Sequence, residues 1–188
     1  MNHMNREAWL NELGKQITPL FAAGKAFPIK PFRVTCGWPC RHALGVKRRV
    51  LGQCFAAENS SAPNGGIHEL FISPLLDKPL EVAGVLTHEI AHVAAGIKAG
   101  HGSWFVKVCK HVGLTKGKPT SVLPGEKLNE QLTKLLDKLG PYPHQAMIPS
   151  TVQTTKSPTS ITLQCQSCEC LIRITFSWIE KSGIPVCG

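Results

Sequence analysis

The sequence His88-Glu89-Ile90-Ala91-His92 constrains the fold of this chain more than any other feature. Residues four apart lie on the same face of an α-helix, so a helical backbone brings the rings of His88 and His92 to one ion. Glu89 follows the first histidine by one residue, where its carboxylate can take a proton from water held by the metal rather than bind the metal itself. The pattern therefore predicts a helix with two metal ligands and a general base, which is the HExxH arrangement of zinc-dependent peptidases.

The residues around this motif predict that the helix is buried. Pro79 suits the first turn of a helix, the run 82–97 is apolar and alanine-rich, and Gly100 can form a left-handed turn after the end. The predicted helix therefore spans about 79–97. The alternative is a core helix whose two histidines are hydrogen-bonded in the interior. That alternative would leave Glu89 buried without a partner, which costs free energy.

A third ligand is expected, because a catalytic zinc usually keeps three protein ligands and one open position for water. His101 is the preferred candidate, since Gly100 and Gly102 let the backbone turn back toward the first two histidines. A glutamate on a later helix is the alternative, with Glu126 and Glu130 as candidates. An exposed loop histidine that binds no metal is the other interpretation of His101.

Two stretches, 87–92 and 100–105, together resemble the SprT-like (Spartan-type) zinc metallopeptidases, which share HExxH and a later Gly-His-Gly with an aromatic residue close behind. A bacterial and phage subgroup of that family also matches at 36–39, 67–74, 122–125 and 140–144. The resemblance covers most of residues 30–188. It implies an α+β fold, in which a minigluzincin-like domain packs the HExxH helix on a small mixed sheet.

The same resemblance implies the chemistry of the site. Zinc is expected on His88, His92 and His101, with Glu89 as general base in the hydrolysis of peptide bonds. Spartan-type members act on proteins bound to DNA, so protein or peptide substrates associated with DNA are expected. Tyr142 and His144 are candidates for stabilising the oxyanion.

The rest of the chain predicts a small mixed domain over residues 1–148. Periodicity predicts helices near 5–22, 104–112 and 126–139, and strands near 32–36, 48–56 and 67–72. The strand at 67–72 is expected at the sheet edge beside the metal helix. An extended substrate could bind there by strand addition.

A second metal site is predicted near the C-terminal end. Residues 149–160 form a polar, proline-bearing linker, and residues 161–188 follow with the pattern of a zinc ribbon. Cys165, Cys168 and Cys187 are the expected ligands of a structural zinc, and Cys170 could complete the set of four. A segment of this size cannot bury enough apolar surface by itself, so a metal is physically expected. A β-hairpin with reduced cysteines and no metal is the alternative.

The net charge of +9 indicates an affinity for polyanions. Arg41, Lys47, Arg48 and Arg49 form the most basic cluster and are the candidates for contacting DNA, mostly through phosphates. A solvated basic surface that serves solubility is the alternative. A non-catalytic nucleic-acid-binding zinc protein is the corresponding alternative function, although a structural zinc would not need the base Glu89.

Location is predicted from what the sequence lacks. The first residues are polar and charged, unlike a signal peptide, and no apolar stretch is long enough to span a membrane. Four cysteines outside the ribbon (Cys36, Cys40, Cys54 and Cys109) are expected to be free thiols, because Cys36, Cys40 and His42 give only a weak metal pattern. A cytoplasmic, non-secreted protein of bacterial or phage origin is therefore expected.

Overall fold

The computed structural model describes residues 5–22, 27–45, 49–59, 66–149 and 160–187, and it shows a mixed α and β protein. Contacts between residues divide the chain into two units, Met1–Pro149 and Ser150–Gly188. The described elements of the first unit are α1 (Arg6–Ala22), β1 (Phe32–Cys36), β2 (Gly52–Phe55), β3 (His68–Ile72), α2 (Pro79–Ala95), α3 (Ser103–Val112), β4 (Leu114–Lys116), β5 (Leu123–Pro124) and α4 (Glu126–Leu139). Those of the second unit are β6 (Ser160–Gln164), β7 (Leu171–Thr175) and α5 (Phe176–Ser182).

The helix α2 lies at the centre of the first unit and carries the HExxH sequence. It packs against the helices α1, α3 and α4 and against the strands β2 and β3. Its inward face is apolar and buried, including Val82, Leu86 and Ile90. Burial of each such side chain contributes roughly 1.5–3 kcal/mol to stability, so the surrounding elements fix the position of α2.

The first helix supplies much of the surface on which α2 rests. Five large side chains of α1 are fully buried, namely Trp9, Leu10, Leu13, Ile17 and Phe21. Their spacing follows one helical face, as the sequence pattern predicts. The indole Nε1 of Trp9 also donates to the carbonyl of Gly140 over 3.0 Å, which ties α1 to the end of α4.

The three-stranded sheet has the order β1-β3-β2, with β1 parallel and β2 antiparallel to the central strand β3. The prediction that the strand at 67–72 forms the sheet edge beside the metal helix is therefore wrong. β3 buries His68, Leu70 and Ile72 on one face and pairs on both sides, which is the environment of a central strand. β1 and β2 form the two edges of the sheet, and β2, none of whose four residues is fully buried, is the edge strand that packs against α2.

The end of α2 determines where the chain goes next. The helix ends at Ala95, two residues earlier than predicted, because Gly96 adopts a φ of +80°. A short turn of 3-10 helix spans Ile97–Ala99 and is followed by Gly100 with a φ of +50°. Residues that carry a Cβ rarely adopt such φ values. The two glycines therefore permit the reversal of chain direction between α2 and α3.

The second unit is a hairpin followed by a short helix. β6 and β7 pair antiparallel, with Ile161 opposite Ile174, and Ile174 is buried. β7 ends at Thr175, whose hydroxyl accepts a hydrogen bond from the backbone N–H of Trp178 over 3.3 Å and caps α5. Most of the predicted linker lies outside the described residues. None of the described helices is both long and apolar enough to traverse a membrane.

Candidate metal centre

Three histidines come together where α2 ends and the chain reverses. His88 and His92 lie one turn apart on α2, and the glycine-flanked turn returns His101 to the same face. One ring nitrogen from each of the three lies within 4.8 Å of the others. The Nε2 atoms of His88 and His101 are 3.4 Å apart. The structure thus brings together the three residues that the sequence predicts as ligands.

The geometry and protonation of this cluster fit a tetrahedral metal. Two nitrogens that each lie 2.0–2.1 Å from a tetrahedral zinc are roughly 3.4 Å apart, which is the separation of His88 Nε2 and His101 Nε2. Burial lowers the pKa of His88 to about 4 and that of His92 to about 3, and neighbouring histidines add to both shifts. Burial also lowers the pKa of His101. All three rings are therefore neutral at pH 7 and offer a lone pair to a cation.

The two glutamates considered as alternative ligands lie elsewhere. Glu126 and Glu130 are both exposed on α4, and neither belongs to the histidine cluster. Glu126 instead approaches Lys116, with 3.8 Å between its carboxylate oxygen and the ammonium nitrogen. Among the described residues, the geometry favours a site with three histidines over a site with two histidines and a glutamate.

Phe105 packs against the whole cluster. The family resemblance includes an aromatic residue shortly after the Gly-His-Gly, but no role in the site was predicted for Phe105 from the sequence. Its ring stacks on His92 with centroids 4.2 Å apart and lies 5.1 Å from His88 and 5.0 Å from His101. The side chain is fully buried in the first turn of α3. It provides an apolar backing for all three imidazoles and restricts their rotation, which prepares them for a common ligand.

Glu89 points from α2 toward the edge strand. Only 5% of the residue is exposed, and burial raises the pKa of its carboxyl group to about 8. The carboxylate lies close to Gly52 of β2, since a Cβ at that position would be 2.5 Å from Glu89 Oε1. A cation held by the histidines would favour the ionised carboxylate, because opposite charges stabilise each other in a poorly solvated site.

A cleft of ≈ 1110 Å³ opens over this group of residues. His88, Glu89, His92 and His101 all line it, so the candidate ligands and the candidate base share one accessible space. α2 contributes one wall, β2 and the residues before it a second, and the segment 120–124 a third. The candidate metal centre is therefore accessible from solvent through this cleft.

Tyr142 and His144 do not line this cleft. The ring of Tyr142 lies 4.6 Å from that of Trp9, and its hydroxyl is buried. The Nε2 atom of His144 lies 3.0 Å from the carbonyl oxygen of Pro74. This placement gives both residues a packing role and does not support the prediction that either one stabilises an oxyanion.

The second unit contains a cluster of three cysteines. The sulfurs of Cys165, Cys168 and Cys187 lie within 4.8 Å of one another, with 3.7 Å between those of Cys168 and Cys187. Backbone hydrogen bonds from Cys168 and Ser167 lower the pKa of Cys165 to about 7, which favours its thiolate. Three clustered thiol groups form a soft donor set that suits zinc.

Cys170 does not join this cluster as the predicted fourth ligand. Its carbonyl oxygen accepts a hydrogen bond of 2.9 Å from the backbone N–H of Cys165, which closes the turn between β6 and β7. Cys170 thus has a backbone role in shaping the turn, and the expectation that its sulfur completes a set of four is not supported by the cluster.

Two of the four residues predicted to contact nucleic acid, Arg41 and Arg49, lie in the described part of the chain. Arg41 and Arg49 are exposed, and the Nε of Arg49 donates to the carbonyl of Gly45 over 3.3 Å. Lys47 and Arg48 lie outside the described residues. Arg49 also lines the cleft, so a basic group stands near the candidate metal centre.

Within the described parts of the chain, the histidine and cysteine clusters are the two groups able to hold a metal. Cys36, Cys40 and His42 do not form a third such group there. Cys36 is instead buried near Tyr142, and burial raises the pKa of its thiol. Comparison with protein-family models, with curated proteins and with solved structures found no match to this chain, so the site is defined by the geometry of its own residues.

Proposed function

We propose that this protein is a zinc-dependent peptidase that hydrolyses peptide bonds with Glu89 as general base. The observation that carries the proposal is the cluster of three neutral imidazoles within 4.8 Å, with a buried carboxylate on the same helical turn. The resemblance of 87–92 and 100–105 to SprT-like metallopeptidases supports the same assignment. A structural zinc usually has four protein ligands, whereas three ligands beside a base suit a catalytic zinc.

His88, His92 and His101 would hold the metal. Bound zinc lowers the pKa of water toward neutrality and polarises a substrate carbonyl. Phe105 keeps the three rings in place, and the neutral state of the imidazoles leaves their lone pairs free at pH 7. These residues therefore bind and orient, and they take no proton during the reaction.

Glu89 would move the proton. Its carboxylate accepts a proton from the attacking water and returns it to the nitrogen of the departing amine. Burial raises the pKa of this group, and a cation on the three histidines would lower it again, so the carboxylate would be ionised and able to accept a proton when the metal is bound. A base whose pKa lies near the working pH is effective in both the uptake and the return of the proton.

The edge strand β2 would hold the substrate in an extended form. Among the described residues, β2 pairs with β3 alone, and three of its residues, Gly52, Gln53 and Cys54, line the cleft. An added strand forms main-chain hydrogen bonds with such an edge and needs no particular side chains for them. Substrate binding by strand addition is therefore proposed for β2 rather than for the strand at 67–72.

The test compares Glu89→Gln with Glu81→Gln, a matched change on the same helix and in the same cleft. Glu89→Gln is expected to keep its zinc and to lose about 10²–10⁴-fold in the rate of peptide hydrolysis, because the basic oxygen is gone. Glu81→Gln should retain most of the rate. Zinc content and hydrolysis of a disordered protein substrate are measured on the same preparations, with and without DNA.

Two results would count against the proposal. Unchanged proteolysis by pure Glu89→Gln would remove Glu89 as the base. A fully zinc-loaded protein that cleaves no substrate but binds nucleic acid would instead support the non-catalytic alternative.

A further inference from the structure

Apart from the metal centre, the cleft is lined mainly by apolar side chains. Leu80 of α2 is 40% exposed and Leu123 of β5 is 59% exposed, and both border the cleft. Leu76 and Val122 are nearly buried and belong to the same lining. A single exposed leucine is ordinary on a protein surface, but two from different elements on one cleft form an apolar surface that a ligand could cover.

The apolar part of the cleft lies along α2 on the N-terminal side of the histidines. Leu80, Val85 and His88 follow one another along the face of the helix that lines the cleft. Leu80 precedes His88 by eight residues, which corresponds to about 12 Å along the helix axis. An extended chain covers roughly 3.3 Å per residue, so about four residues of a bound strand span this distance.

Close packing between α2 and β5 fixes the shape of this part of the cleft. A Cβ on Gly84 would lie 3.2 Å from the Cγ of Pro124, so the proline ring rests directly on the helix. Both residues line the cleft. The wall that carries Leu123 is thus held by packing against α2, and it presents a preformed surface.

The three basic side chains that line the cleft each have a polar partner, and the Nε of Arg49 donates to the carbonyl of Gly45 over 3.3 Å. The ammonium of Lys78 lies 3.3 Å from the carboxylate of Glu81, and that of Lys116 lies 3.8 Å from the carboxylate of Glu126. A charged substrate side chain placed between Leu80 and Leu123 would lose water without gaining a partner from these leucines. The part of the cleft between Leu80 and Leu123 therefore disfavours charged side chains of a substrate.

We propose that the cleft selects substrates with a large apolar side chain within about four residues of the bond that is cleaved. This inference rests on the proposed peptidase function and names its substrate class. Leucine, isoleucine, methionine and phenylalanine side chains fit, whereas aspartate and lysine side chains do not. Such apolar side chains are mostly buried in folded proteins, so the substrates are polypeptides in which these residues have become accessible by unfolding.

The first part of the test maps cleavage sites. The zinc-loaded chain is incubated with a disordered protein, and the products are identified by mass spectrometry. Cleavage is expected near large apolar residues. A peptide in which the single leucine is replaced by aspartate should show kcat/KM lower by about ten- to a hundredfold, as is typical when an apolar pocket loses its side chain.

The second part changes the cleft itself. The double variant Leu80→Gln and Leu123→Gln should lose the preference for the leucine peptide while it still cleaves both peptides. Leu44→Gln is the matched control, because Leu44 is 55% exposed and does not line the cleft. All three leucines are exposed, so these changes should leave the fold intact, and circular dichroism checks this.

A binding measurement separates this inference from the peptidase proposal. Fluorescence anisotropy with zinc-loaded Glu89→Gln should show tighter binding of the leucine peptide than of the aspartate peptide, and the double leucine change should abolish the difference. Equal binding of the two peptides, or a preference that survives the double change, overturns the inference even if proteolysis is found. Selective binding without any cleavage by the unaltered chain overturns the peptidase proposal instead.

Discussion

Gly52 shows how one residue of the edge strand shapes the candidate site. A Cβ there would lie 2.5 Å from Glu89 Oε1 and 2.6 Å from the Cγ1 of Val85, closer than real Cβ contacts. The strand can therefore approach α2 only because this residue has no side chain. The contact places the carboxylate of Glu89 against the backbone of β2.

Replacing Gly52 with alanine is expected to displace the carboxylate of Glu89 and to lower kcat/KM about 10²-fold, the cost of a misplacement near 1 Å. Zinc content should not change, because the three histidines lie elsewhere on α2 and in the following turn. Gly37→Ala is the matched control, since its Cβ would lie 3.4 Å from Phe71, an ordinary contact. The measurement combines zinc analysis, thermal unfolding and hydrolysis of a peptide.

A Gly52→Ala variant with full activity would show that Glu89 does not depend on this contact. Loss of both zinc and thermal stability would point to a general disturbance of the fold. If the effect is local, adding Val85→Ala should restore part of the rate, because it removes Cγ1 of Val85, the other atom that a Cβ at position 52 would approach too closely.

At the scale of single residues, the sequence predicts the candidate ligands better than it predicts the residues that hold them in position. The i, i+4 spacing of His88 and His92 is a local property of a helix, and the glycines beside His101 signal a reversal of the chain. Phe105 and Gly52 act through contacts with residues of other elements. No local pattern contains such contacts, so these two roles became visible only in three dimensions.

Among the elements, the helices follow their predicted boundaries closely and the sheet does not follow its predicted order. α3 and α4 begin and end within one residue of the predicted spans, since their periodicity is a property of consecutive residues. Strand order depends on pairing between distant segments. β3 was expected at the edge but lies in the centre, because β1 and β2 both pair with it.

The hairpin of the second unit gives a prediction about its cysteines. Cys187→Ser should remove one equivalent of zinc and destabilise this unit, because the three sulfurs form one donor set. Cys170→Ser should retain the zinc, because the contribution of Cys170 to the turn is made by its backbone carbonyl. Zinc per chain is measured by elemental analysis, and the unit is monitored by the fluorescence of Trp178.

Acid should release this zinc, because its ligands must be thiolates. The pKa of Cys165 is lowered to about 7, but the hydrogen bond between the sulfurs of Cys187 and Cys168 raises the pKa of Cys187. Zinc must therefore displace protons already at neutral pH, and its affinity decreases further as the pH falls. Equal zinc content in Cys187→Ser and in the unaltered chain would show that the cluster binds no metal. Loss of zinc in Cys170→Ser would restore Cys170 as a ligand.

Charge is a property of the whole molecule. Here it predicts a polyanionic partner but does not define the surface that would bind it. The net charge of +9 attracts polyanions whatever the fold. Two of the four basic residues chosen from the sequence are described and exposed, Arg41 and Arg49. Charge cannot distinguish binding of nucleic acid from simple solubility, because both follow from the same excess of lysine and arginine.

Salt dependence separates these two explanations. If the basic cluster contacts DNA phosphates, affinity should fall steeply with salt, with a slope in log K against log salt of about −0.9 for each phosphate contacted. The double change Arg41→Gln and Arg49→Gln should make this slope shallower by roughly two units, and the effect should be the same for unrelated DNA sequences.

Arg33→Gln is the matched control, because the guanidinium of Arg33 is already paired with Glu69 at an Nε–Oε2 distance of 3.1 Å. The affinities are measured by fluorescence anisotropy at several salt concentrations. An affinity that does not respond to salt, or an equal effect of Arg33→Gln, would assign the charge to solubility alone.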